Sequence, residues 1–440
     1  MGAVASSRPP ELDFVGYRGI TLHPYPATMP YPVAEELVRR WSRPGDLVLD
    51  PFMGSGTTIR AAASNGRSAL GIDLNPLASL IARVGLNTTD AGSDVAIYNA
   101  ARISVVEAIS DTVLYPADRW RDRIDTWFLP EAQYGLARLA AAIKHVSPKG
   151  HILDFILLAF SRTVRRSSLA RPGELKLWRR RFASSPEDPV DIFFREAAHL
   201  HWSLVALHAH SPINPDVRVS IVTADAENAL DAVPSADLVL TSPPYGDAWT
   251  TVAYGNFSLL NRIWLSSVDE TFAELSPATE DARALGGSSR FRAEDFDVDL
   301  LEISAALSRA HTLVTERSSE RARQLLLFCQ DMFSLLRKLV RTASPDGRIV
   351  LVLGPRRVSG TWVDTGWILG EMLDHLGCHR EDRQKRRITG KRLPSRTLQG
   401  PAGLANTINE ETIDIFKVTS RVVPTPSPHR FLEISPKGRN

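Results

Sequence analysis

Two short segments of the chain combine small and polar residues at a spacing that suits chemistry on a nucleotide-like ligand. The first, residues 50–58 (DPFMGSGTT), begins with an acid at the end of an apolar run and continues into a glycine turn. Gly54 and Gly56 let the backbone turn tightly and approach a ligand closely. A strand, a glycine turn and a helix N-terminus form the usual cradle for a cofactor in a doubly wound sheet. Taken alone, the pattern also fits an ordinary turn that binds nothing.

The second segment, residues 242–245 (SPPY), directly follows the apolar run ADLVL at 236–240. Its consecutive prolines fix φ and remove two backbone donors, so the loop presents carbonyl groups and one side chain in a fixed pose. The Ser242 hydroxyl and the Pro243 carbonyl can accept hydrogen bonds from an exocyclic amino group. Tyr245 offers a flat face on which a base taken out of a duplex can stack. A rigid turn with a packed tyrosine is the alternative.

Two further acids follow predicted strands. Asp73 ends the run SALGID about 20 residues after the first acid, where a doubly wound fold places the carboxylate that holds ribose hydroxyls. Asp225 comes just after the predicted strand at 217–223. Each also fits a plain helix cap, for Asp225 before Leu230, so both interpretations stay open.

The elements that must position these segments alternate between strand and helix. Apolar runs predict strands at 47–50, 68–73, 217–223, 236–240, 348–353 and 411–418, and a short one at 386–388. Helical spacing predicts helices at 33–41, 59–64, 77–84, 321–342 and 368–376. The pattern indicates an α/β, doubly wound parallel sheet, with the two motifs at the carboxyl edge where ligands bind.

Two stretches interrupt this alternation. Residues 88–218 are mostly helical by pattern and too long for one crossover, which predicts an inserted helical subdomain. Residues 266–318 are polar and contain Gly286 and Gly287, which predicts a second insertion with a mobile loop. The rest of the chain is predicted to divide into an N-terminal arm at 1–20, a main domain at 21–87 and 219–423, and a tail at 424–440.

Composition narrows the class of protein. Among 440 residues, 43% are hydrophobic and 23% charged, which is typical of a soluble globular protein, and no apolar run approaches a membrane span. The first residues lack the apolar core of an export signal, and two cysteines fit a reducing compartment, so we expect a cytoplasmic protein without a metal site. The net charge of +2 conceals two basic clusters. The first contains Arg162, Arg165, Arg166, Arg171, Lys176, Arg179 and Arg180; the second, at 383–396, contains Arg386 and Arg387.

Together, the motifs resemble those of the amino-methyltransferases of DNA, which use S-adenosyl-L-methionine to methylate N4 of cytosine or N6 of adenine. The family's cofactor motif D-P-F-x-G-S-G-T-T is matched throughout by residues 50–58. Its catalytic motif (S/D/N)-P-P-(Y/F/W) is matched by residues 242–245, and its H-P-Y-P-A-like segment by residues 23–27. The resemblance covers roughly residues 20–85 and 217–265, and less distinctly 320–420, but neither insertion.

The resemblance implies a Rossmann-like methyltransferase sheet of seven strands with the last strand antiparallel. It implies catalytic roles for Ser242, Pro243, Pro244 and Tyr245, and S-adenosyl-L-methionine as cofactor, with Asp73 on the ribose and Asp225 on the adenine. The residues that would line the cofactor are Tyr25, Thr28, Asp50, Pro51, Phe52, Gly54, Ser55, Gly56, Thr57, Asp73, Asn75 and Asp225. Trp249 and Tyr254 would either wall the base pocket or pack in the core.

The predicted target is the exocyclic N4 amine of cytosine in duplex DNA, in a flipped-out base, because serine at the first catalytic position is more typical of N4-cytosine enzymes. N6-adenine, an RNA base amine and an inactive nucleic-acid-binding module remain as alternatives. Methylation at carbon 5 needs a cysteine nucleophile, and neither Cys329 nor Cys378 follows a proline in such a loop. In families of this kind the spacer between the two motifs often holds the target-recognition region, and we assign that role to residues 88–218. Because the implied substrate is a nucleic acid, we expect both basic clusters to contact its phosphates. The resemblance also implies that the protein is located at the nucleoid of a prokaryote, with a restriction or defence-system protein as a further partner.

Overall fold

The computed structural model describes residues 12, 14, 19–87, 91–171, 177–180, 187–246, 254–273, 284–287, 299–388, 396–398, 404–406 and 410–419; at 91–97, 396–398 and 404–406 it describes the backbone only. The strands of this part are β1 (Leu47–Asp50), β2 (Ser68–Asp73), β3 (Val219–Thr223), β4 (Ala236–Thr241), β5 (Ala343–Leu353), β6 (Arg356–Val358), β7 (Thr361–Val363), β8 (Cys378–Arg387), β9 (Arg396–Leu398), β10 (Leu404–Asn406) and β11 (Glu410–Val418).

The helices of this part are α1 (Tyr31–Trp41), α2 (Thr57–Ser64), α3 (Pro76–Leu86), α4 (Ala91–Glu107), α5 (Arg121–Trp127), α6 (Pro130–Val146), α7 (Gly150–Ser167), α8 (Pro189–His210), α9 (Ala226–Ala229), α10 (Tyr254–Val268), α11 (Leu300–Ile303), α12 (Ala305–Thr315), α13 (Ser319–Thr342) and α14 (Thr365–His375). Short 3₁₀ turns occur at Asp118–Trp120, Leu230–Ala232 and Glu270–Phe272.

Seven strands form one mixed sheet in the order β3-β2-β1-β4-β5-β11-β8. β1 to β5 run parallel, and β11 pairs antiparallel with both of its neighbours. The carboxyl ends of β1 and β4 are adjacent, and the chain order reverses at this point. A doubly wound sheet opens a crevice for ligands there. The predicted fold class is confirmed, including the antiparallel last strand.

Apolar side chains from the helices cover both faces of this sheet. On one face, α1 and α2 bury residues such as Val33, Leu37 and Ile59 against the strands. On the other face, α13 and α14 bury Phe328, Met332 and Leu369. The central strands are buried on both sides, which explains why β1 and β4 read as continuous apolar runs rather than as alternating ones.

Helices α4 to α8 occupy residues 88–218, the stretch predicted to be a helical insertion. Together with α3 and α10, these helices bury one apolar cluster that includes Phe155, Leu158 and Trp264. The insertion is therefore packed onto the helices that flank the two motifs. Within the described part of the chain, no helix is long and apolar enough to cross a membrane.

The strand predicted at 386–388 is wrong in extent, because β8 spans Cys378–Arg387. Its sequence, CHREDRQKRR, contains none of the apolar alternation by which strands are found. β8 is an edge strand, and its inward arginines are paired with acids of β11: Arg380 and Arg383 with Asp414, and Arg386 with Glu411. Ion pairs take the place of apolar contacts at this edge, so the strand lacks the apolar pattern from which it could be predicted.

Other predictions fall wholly or partly outside the described residues. These are nearly all of the arm at 1–20, the tail at 424–440, Lys176, Trp249 and most of the loop in the second insertion.

Candidate active site

The glycine turn after β1 is fixed by its own backbone and by β2. Gly54 has φ +52° and Gly56 has φ +85°, both in the left-handed region that glycine adopts without strain. The Gly54 amide donates to Asp73 Oδ2 at 2.9 Å. A Cβ on Gly56 would lie 2.9 Å from Ala82 Cβ, so the start of α2 packs on α3 with no room for a side chain. The turn is therefore held in place between β2 and α3.

Asp50 joins the glycine turn to the SPPY loop at 242–245. Its Oδ1 accepts hydrogen bonds from the Thr241 hydroxyl at 2.6 Å and from the Phe52 amide at 3.0 Å. Asp50 is buried, and the loss of solvation raises the pKa of its carboxyl to about 6 despite these donors. Thr241 immediately precedes Ser242, so the Asp50 carboxylate is hydrogen bonded both to the glycine-turn segment and to the start of the SPPY loop.

Asp73 lies at the end of β2, beside the turn. Its Oδ1 accepts from the Asn75 amide at 2.8 Å, while Oδ2 accepts from Gly54. Burial raises the pKa of Asp73 to about 6, and the nearby charge of Asp50 adds to the rise. A carboxylate oxygen can accept more than one hydrogen bond, so these contacts orient Asp73 and leave lone pairs for ligand hydroxyls.

The HPYP segment covers the turn from the other side. A Cβ on Gly54 would lie 3.3 Å from the Tyr25 ring, so only glycine leaves ordinary contact distance here. The Tyr25 ring also packs on Tyr254 and Phe257 of α10, with centroid distances of 5.8 and 6.1 Å. The Thr28 hydroxyl lies 3.5 Å from the Ser55 hydroxyl.

His23 anchors this segment to the insertion. Its Nε2 lies 3.0 Å from the Ser161 hydroxyl of α7, and its Nδ1 lies 2.7 Å from the Pro24 carbonyl oxygen. Asn261 of α10 donates to the same Ser161 hydroxyl at 2.8 Å. Burial lowers the pKa of His23 to about 4, so the ring is neutral at physiological pH.

A cavity opens where these elements meet, with about 1130 Å³ of empty space, part of it open to solvent. Small-molecule sites are typically about 300–1,000 Å³. The predicted residues that line it are Tyr25, Thr28, Asp50, Pro51, Phe52, Gly54, Ser55, Thr57, Asp73, Asn75, Asp225, Ser242 and Pro244. Gly56 and Pro243 are not among the lining residues.

Asp225 and Asn75 each have a structural role in addition to their place in the cavity. Asp225 caps α9, because its Oδ1 accepts from the Glu227 amide at 3.0 Å. Asn75 caps α3 through the Leu77 amide, and its side-chain amide donates to Ser258 at 3.1 Å. Both of the interpretations left open for Asp225 are thus compatible with its position. Tyr254, for which a pocket wall and core packing were alternatives, also lines the cavity.

Sequence reasoning missed the wall that the second insertion contributes. Ala284 and Leu285 line the cavity together with Leu335 of α13. The Gly286 amide donates to the buried Asp331 carboxylate at 2.7 Å, which ties this segment to α13. Small apolar residues in a polar stretch carry no local signal, so only their position in the fold identifies them.

Tyr245 differs from its predicted position, because it does not line the cavity. Its ring lies against Gly354, where a Cβ would come within 2.6 Å of ring atoms. Its hydroxyl donates to Glu411 Oε1 of β11 at 2.8 Å. The ring edge and the hydroxyl thus contact the last strands, while the stacking of a base on Tyr245 stays a prediction. Glu411 is a second residue that sequence reasoning missed.

The basic clusters contain both buried and exposed side chains. Arg162 Nε donates to the buried Glu196 at 2.7 Å, and Arg386 is 2% exposed and paired with Glu411 at 3.2 Å. The prediction of phosphate contact is wrong for these two, because both are used inside the fold. Arg165 lies over the Phe257 ring, and Arg180 donates to the Ser168 carbonyl at 2.6 Å. The members with exposed side chains are Arg166, Arg171, Arg179 and Arg387, and of these Arg166 also donates to Glu196 at 3.1 Å.

The sheet order, the glycine turn and the cavity at its carboxyl edge define a Rossmann-like methyltransferase fold. A family model described as DNA methylase, of the N6/N4 type, matches residues 8–83. Over 401 residues it is 26% identical to the Type II methyltransferase M.MvaI of Kocuria varians, with 85% of each chain covered.

Further similarities are shorter or weaker. A stretch of 79 residues is 34% identical to the DNA adenine methyltransferase YhdJ of Escherichia coli K12, covering 18% of this chain and 26% of that one. Among solved structures, the rRNA methyltransferase aviRa from Streptomyces viridochromogenes is 12% identical, with 90% of each chain covered and a TM-score of 0.31. That similarity is too weak to carry an argument.

Methyltransferases of this family use S-adenosyl-L-methionine. The cavity fits such a ligand by the chemistry of its donors and acceptors. The carboxylates of Asp73 and Asp225 can accept hydrogen bonds from hydroxyl and amino groups, while Phe52, Leu74 and Leu335 offer apolar surface. The glycine turn lets backbone approach where a side chain would not fit. Within the described residues, no cluster of three or more His, Cys, Asp or Glu could hold a metal ion.

Proposed function

We propose that this DNA methyltransferase transfers a methyl group to the exocyclic N4 amine of cytosine in duplex DNA, with the target base flipped out. One observation carries the proposal: Ser242, the acceptor of the catalytic motif, lines the same cavity as Asp73 and the glycine turn. When bound, S-adenosyl-L-methionine supplies a methyl group already activated on a sulfonium.

The chain's own residues then have to place and polarise the amine. The Ser242 hydroxyl and the Pro243 carbonyl accept its two hydrogens and draw the nitrogen lone pair toward the methyl, about 3 Å away. No strong general base is required, which suits a serine. Asp50 holds the start of this loop through Thr241, so the acceptors are fixed relative to the cofactor cavity before DNA arrives.

Carbon-5 methylation is disfavoured by the state of the cysteines. Cys329 and Cys378 are both buried in the core, and burial raises the pKa of each thiol to about 12. A thiol with that pKa is not a nucleophile at neutral pH. An amine target, which needs no covalent intermediate, is consistent with the side chains present.

N6-adenine is the second candidate target. The chain shares a 34% identical segment with a protein named a DNA adenine methyltransferase, and the same two acceptors serve either amine. We favour cytosine because serine, rather than Asp or Asn, occupies the first position of the motif. The similarity to a Type II methyltransferase over 85% of each chain supports a restriction or defence-system protein as a further partner.

We propose that DNA contacts the helical stretch at 88–218 together with the exposed arginines. Arg166, Arg171 and Arg179 lie at or beyond the end of α7, whose other end faces α3 and whose Ser161 reaches the HPYP segment. Arg387 is exposed at the end of β8. These are the side chains we propose for phosphate contact, and target recognition is assigned to residues 88–218.

The decisive experiment is expression in a host that lacks DNA methylation, followed by sequencing that detects modified bases. N4-methylcytosine in one sequence context is expected, and N6-methyladenine would replace the first target by the second. A purified protein that binds no S-adenosyl-L-methionine in a calorimeter would leave the inactive nucleic-acid-binding module instead. Methylation of tRNA but not of duplex DNA would favour the RNA alternative.

Mutation of Ser242 tests the mechanism directly. Ser242→Ala should lose most turnover and keep the wild-type affinity for the cofactor, because the hydroxyl acts on the amine only. Ser308→Ala on α12 is the matched control, since Ser308 lies outside the cavity. If Ser242→Ala abolishes cofactor binding, the loop has been misassigned.

A further inference from the structure

Two short extended segments pair with each other after the end of α7. The Arg171 amide donates to the Trp178 carbonyl oxygen at 2.8 Å, and the Arg180 amide donates to the Leu169 carbonyl oxygen, also at 2.8 Å. One antiparallel bridge lies between these two hydrogen bonds. We call the paired segments 169–171 and 178–180 the hairpin stem.

The hairpin stem is attached to the fold through its apolar residues. The Leu169 amide donates to the Trp127 carbonyl oxygen at 2.8 Å, and Leu169 and Ala170 are buried. Leu177 packs against the apolar cluster of the helical stretch, whereas its neighbour Trp178 is 57% exposed. Successive side chains of an extended segment point to opposite sides. The stem thus buries the leucine and holds the indole of Trp178 in solvent.

Positive charge flanks this exposed indole. Arg179 follows Trp178 in the chain, and Arg171 is its hydrogen-bonded neighbour on the other segment; both arginines have exposed side chains. Nucleic acid offers a partner for each group, because its phosphates attract arginine and its bases have faces on which aromatic rings stack. The chemistry of this surface is therefore complementary to DNA.

The hairpin stem begins close to the wall of the cavity. Arg165, three residues before Ser168, places its guanidinium 5.4 Å from the centre of the Phe257 ring of α10. The Phe257 ring in turn packs on Tyr25, which lines the cavity, with a centroid distance of 6.1 Å. A duplex whose target base enters the cavity would lie within reach of the stem.

We propose that Trp178 stacks on a DNA base face that is uncovered when the target base leaves the duplex, while Arg171 and Arg179 contact the neighbouring phosphates. The inference rests on the proposed function, because base faces in an intact duplex are covered by their neighbours and flipping exposes them. Flipping costs unstacking energy, and stacking of the indole offsets part of that cost. Trp178 thereby favours the flipped state.

The test measures DNA binding of Trp178→Ala and Trp178→Phe in the full-length protein by fluorescence anisotropy. S-adenosyl-L-homocysteine replaces the methyl donor, so that no methyl group is transferred. One duplex carries the methylation site that sequencing identifies, and a second duplex of equal length has this site scrambled. Trp178→Ala should weaken binding to the first duplex by about 5- to 150-fold. It should leave binding to the second duplex unchanged, and Trp178→Phe should keep most of the affinity because its ring still stacks.

The salt dependence of binding separates stacking from phosphate contact. Arg179→Ala should weaken binding to both duplexes and reduce the salt slope by about 1, because one counterion fewer is released. Trp178→Ala should keep the wild-type slope, because an uncharged ring replaces no counterion. A ring that merely supports the neighbouring arginines would lower the slope as well.

Trp362→Ala is the matched control. Trp362 of β7 is 52% exposed, and the Arg357 guanidinium lies 5.4 Å from its ring centre, so it is also an exposed tryptophan beside an arginine on a hairpin. The β6–β7 hairpin buries its valines with α13 and α14, whereas α7 packs with α3 and α10. This variant should keep the wild-type affinity for both duplexes.

The inference is overturned if Trp178→Ala keeps the wild-type affinity for the site, loses affinity equally for both duplexes, or is matched in its loss by Trp362→Ala. A dimer in sedimentation that Trp178→Ala dissociates would assign the indole to a second copy of the chain and also overturn it. A wild-type protein that methylates no base overturns the proposed function and this inference together. An active wild type with an unaffected Trp178→Ala overturns the inference alone.

Discussion

Replacement of Gly56 by alanine separates two kinds of cost at the cofactor turn. Gly56 has φ +85° and ψ 22°, and an alanine held in this left-handed conformation costs about 1–2 kcal/mol. The new Cβ would also lie 2.9 Å from Ala82 Cβ and 3.3 Å from the Ala82 backbone, and overpacking of this kind costs about 1–3 kcal/mol. We therefore expect Gly56→Ala to lose about 2–5 kcal/mol of unfolding free energy.

Gly45→Ala is the matched control. Gly45 also has a positive φ, of +94°, but a Cβ there meets nothing within 4 Å. This variant should therefore carry the backbone strain alone, about 1–2 kcal/mol. The difference between the two variants measures the contact of the turn with α3.

The assay is urea unfolding without cofactor, followed by circular dichroism. At a slope of about 3 kcal/mol/M, Gly56→Ala should lower the unfolding midpoint by about 1 M. Equal midpoints for Gly56→Ala and Gly45→Ala would refute the reasoning, because they would mean that α2 does not pack on α3 at the observed distance.

Three further predictions concern charge. The affinity for S-adenosyl-L-methionine should fall as the pH drops below about 6, because Asp73 then gains a proton and loses an acceptor. Calorimetry between pH 5 and 8 measures this affinity, and Asp73→Asn should bind weakly at every pH. A wild-type affinity that does not change with pH would contradict this role. His23, with its pKa lowered from 6.5 to about 4, stabilises the fold above pH 6.5 and loses that contribution as the pH falls toward 4, by about 3 kcal/mol in all. His23→Gln should therefore be less sensitive to acid unfolding in this range, and an unchanged pH profile would argue against a buried neutral ring. Arg166→Ala should weaken DNA binding and reduce its salt slope by about 1. Arg162→Ala should mainly destabilise the fold, by about 1.5–3 kcal/mol, because it removes the less exposed of the two arginines that pair with the buried Glu196 carboxylate. Equal effects on the salt slope would mean that the two arginines were divided wrongly.

The features predicted well are those encoded locally. β1, the glycine turn and the start of α2 lie within one stretch of a dozen residues, and the turn can form in only one way. Asp73 was placed correctly because parallel strands of similar length end at the same edge of the sheet. The seven strands and the antiparallel last strand followed from the resemblance.

The features predicted badly depend on residues that are distant in the chain. The direction of the Tyr245 ring is decided by Gly354 and Glu411, which lie more than a hundred residues away. Arg162 and Arg386 were counted as available cations, since a sequence shows charges without showing their partners. β8 was largely missed because paired charges replace its apolar pattern.

The buried contact between His23 and Ser161 has a consequence for any attempt to redesign this protein. Ser161 belongs to the stretch 88–218, yet it supports the segment that places Tyr25 at the cavity. Asn261, beyond the SPPY loop in sequence, donates to the same hydroxyl. The insertion is therefore not a detachable cassette. On the proposed function, a chimera that exchanges residues 88–218 for those of a relative would have to retain Ser161, because its loss would disturb the segment that carries Tyr25 as well as the DNA contacts.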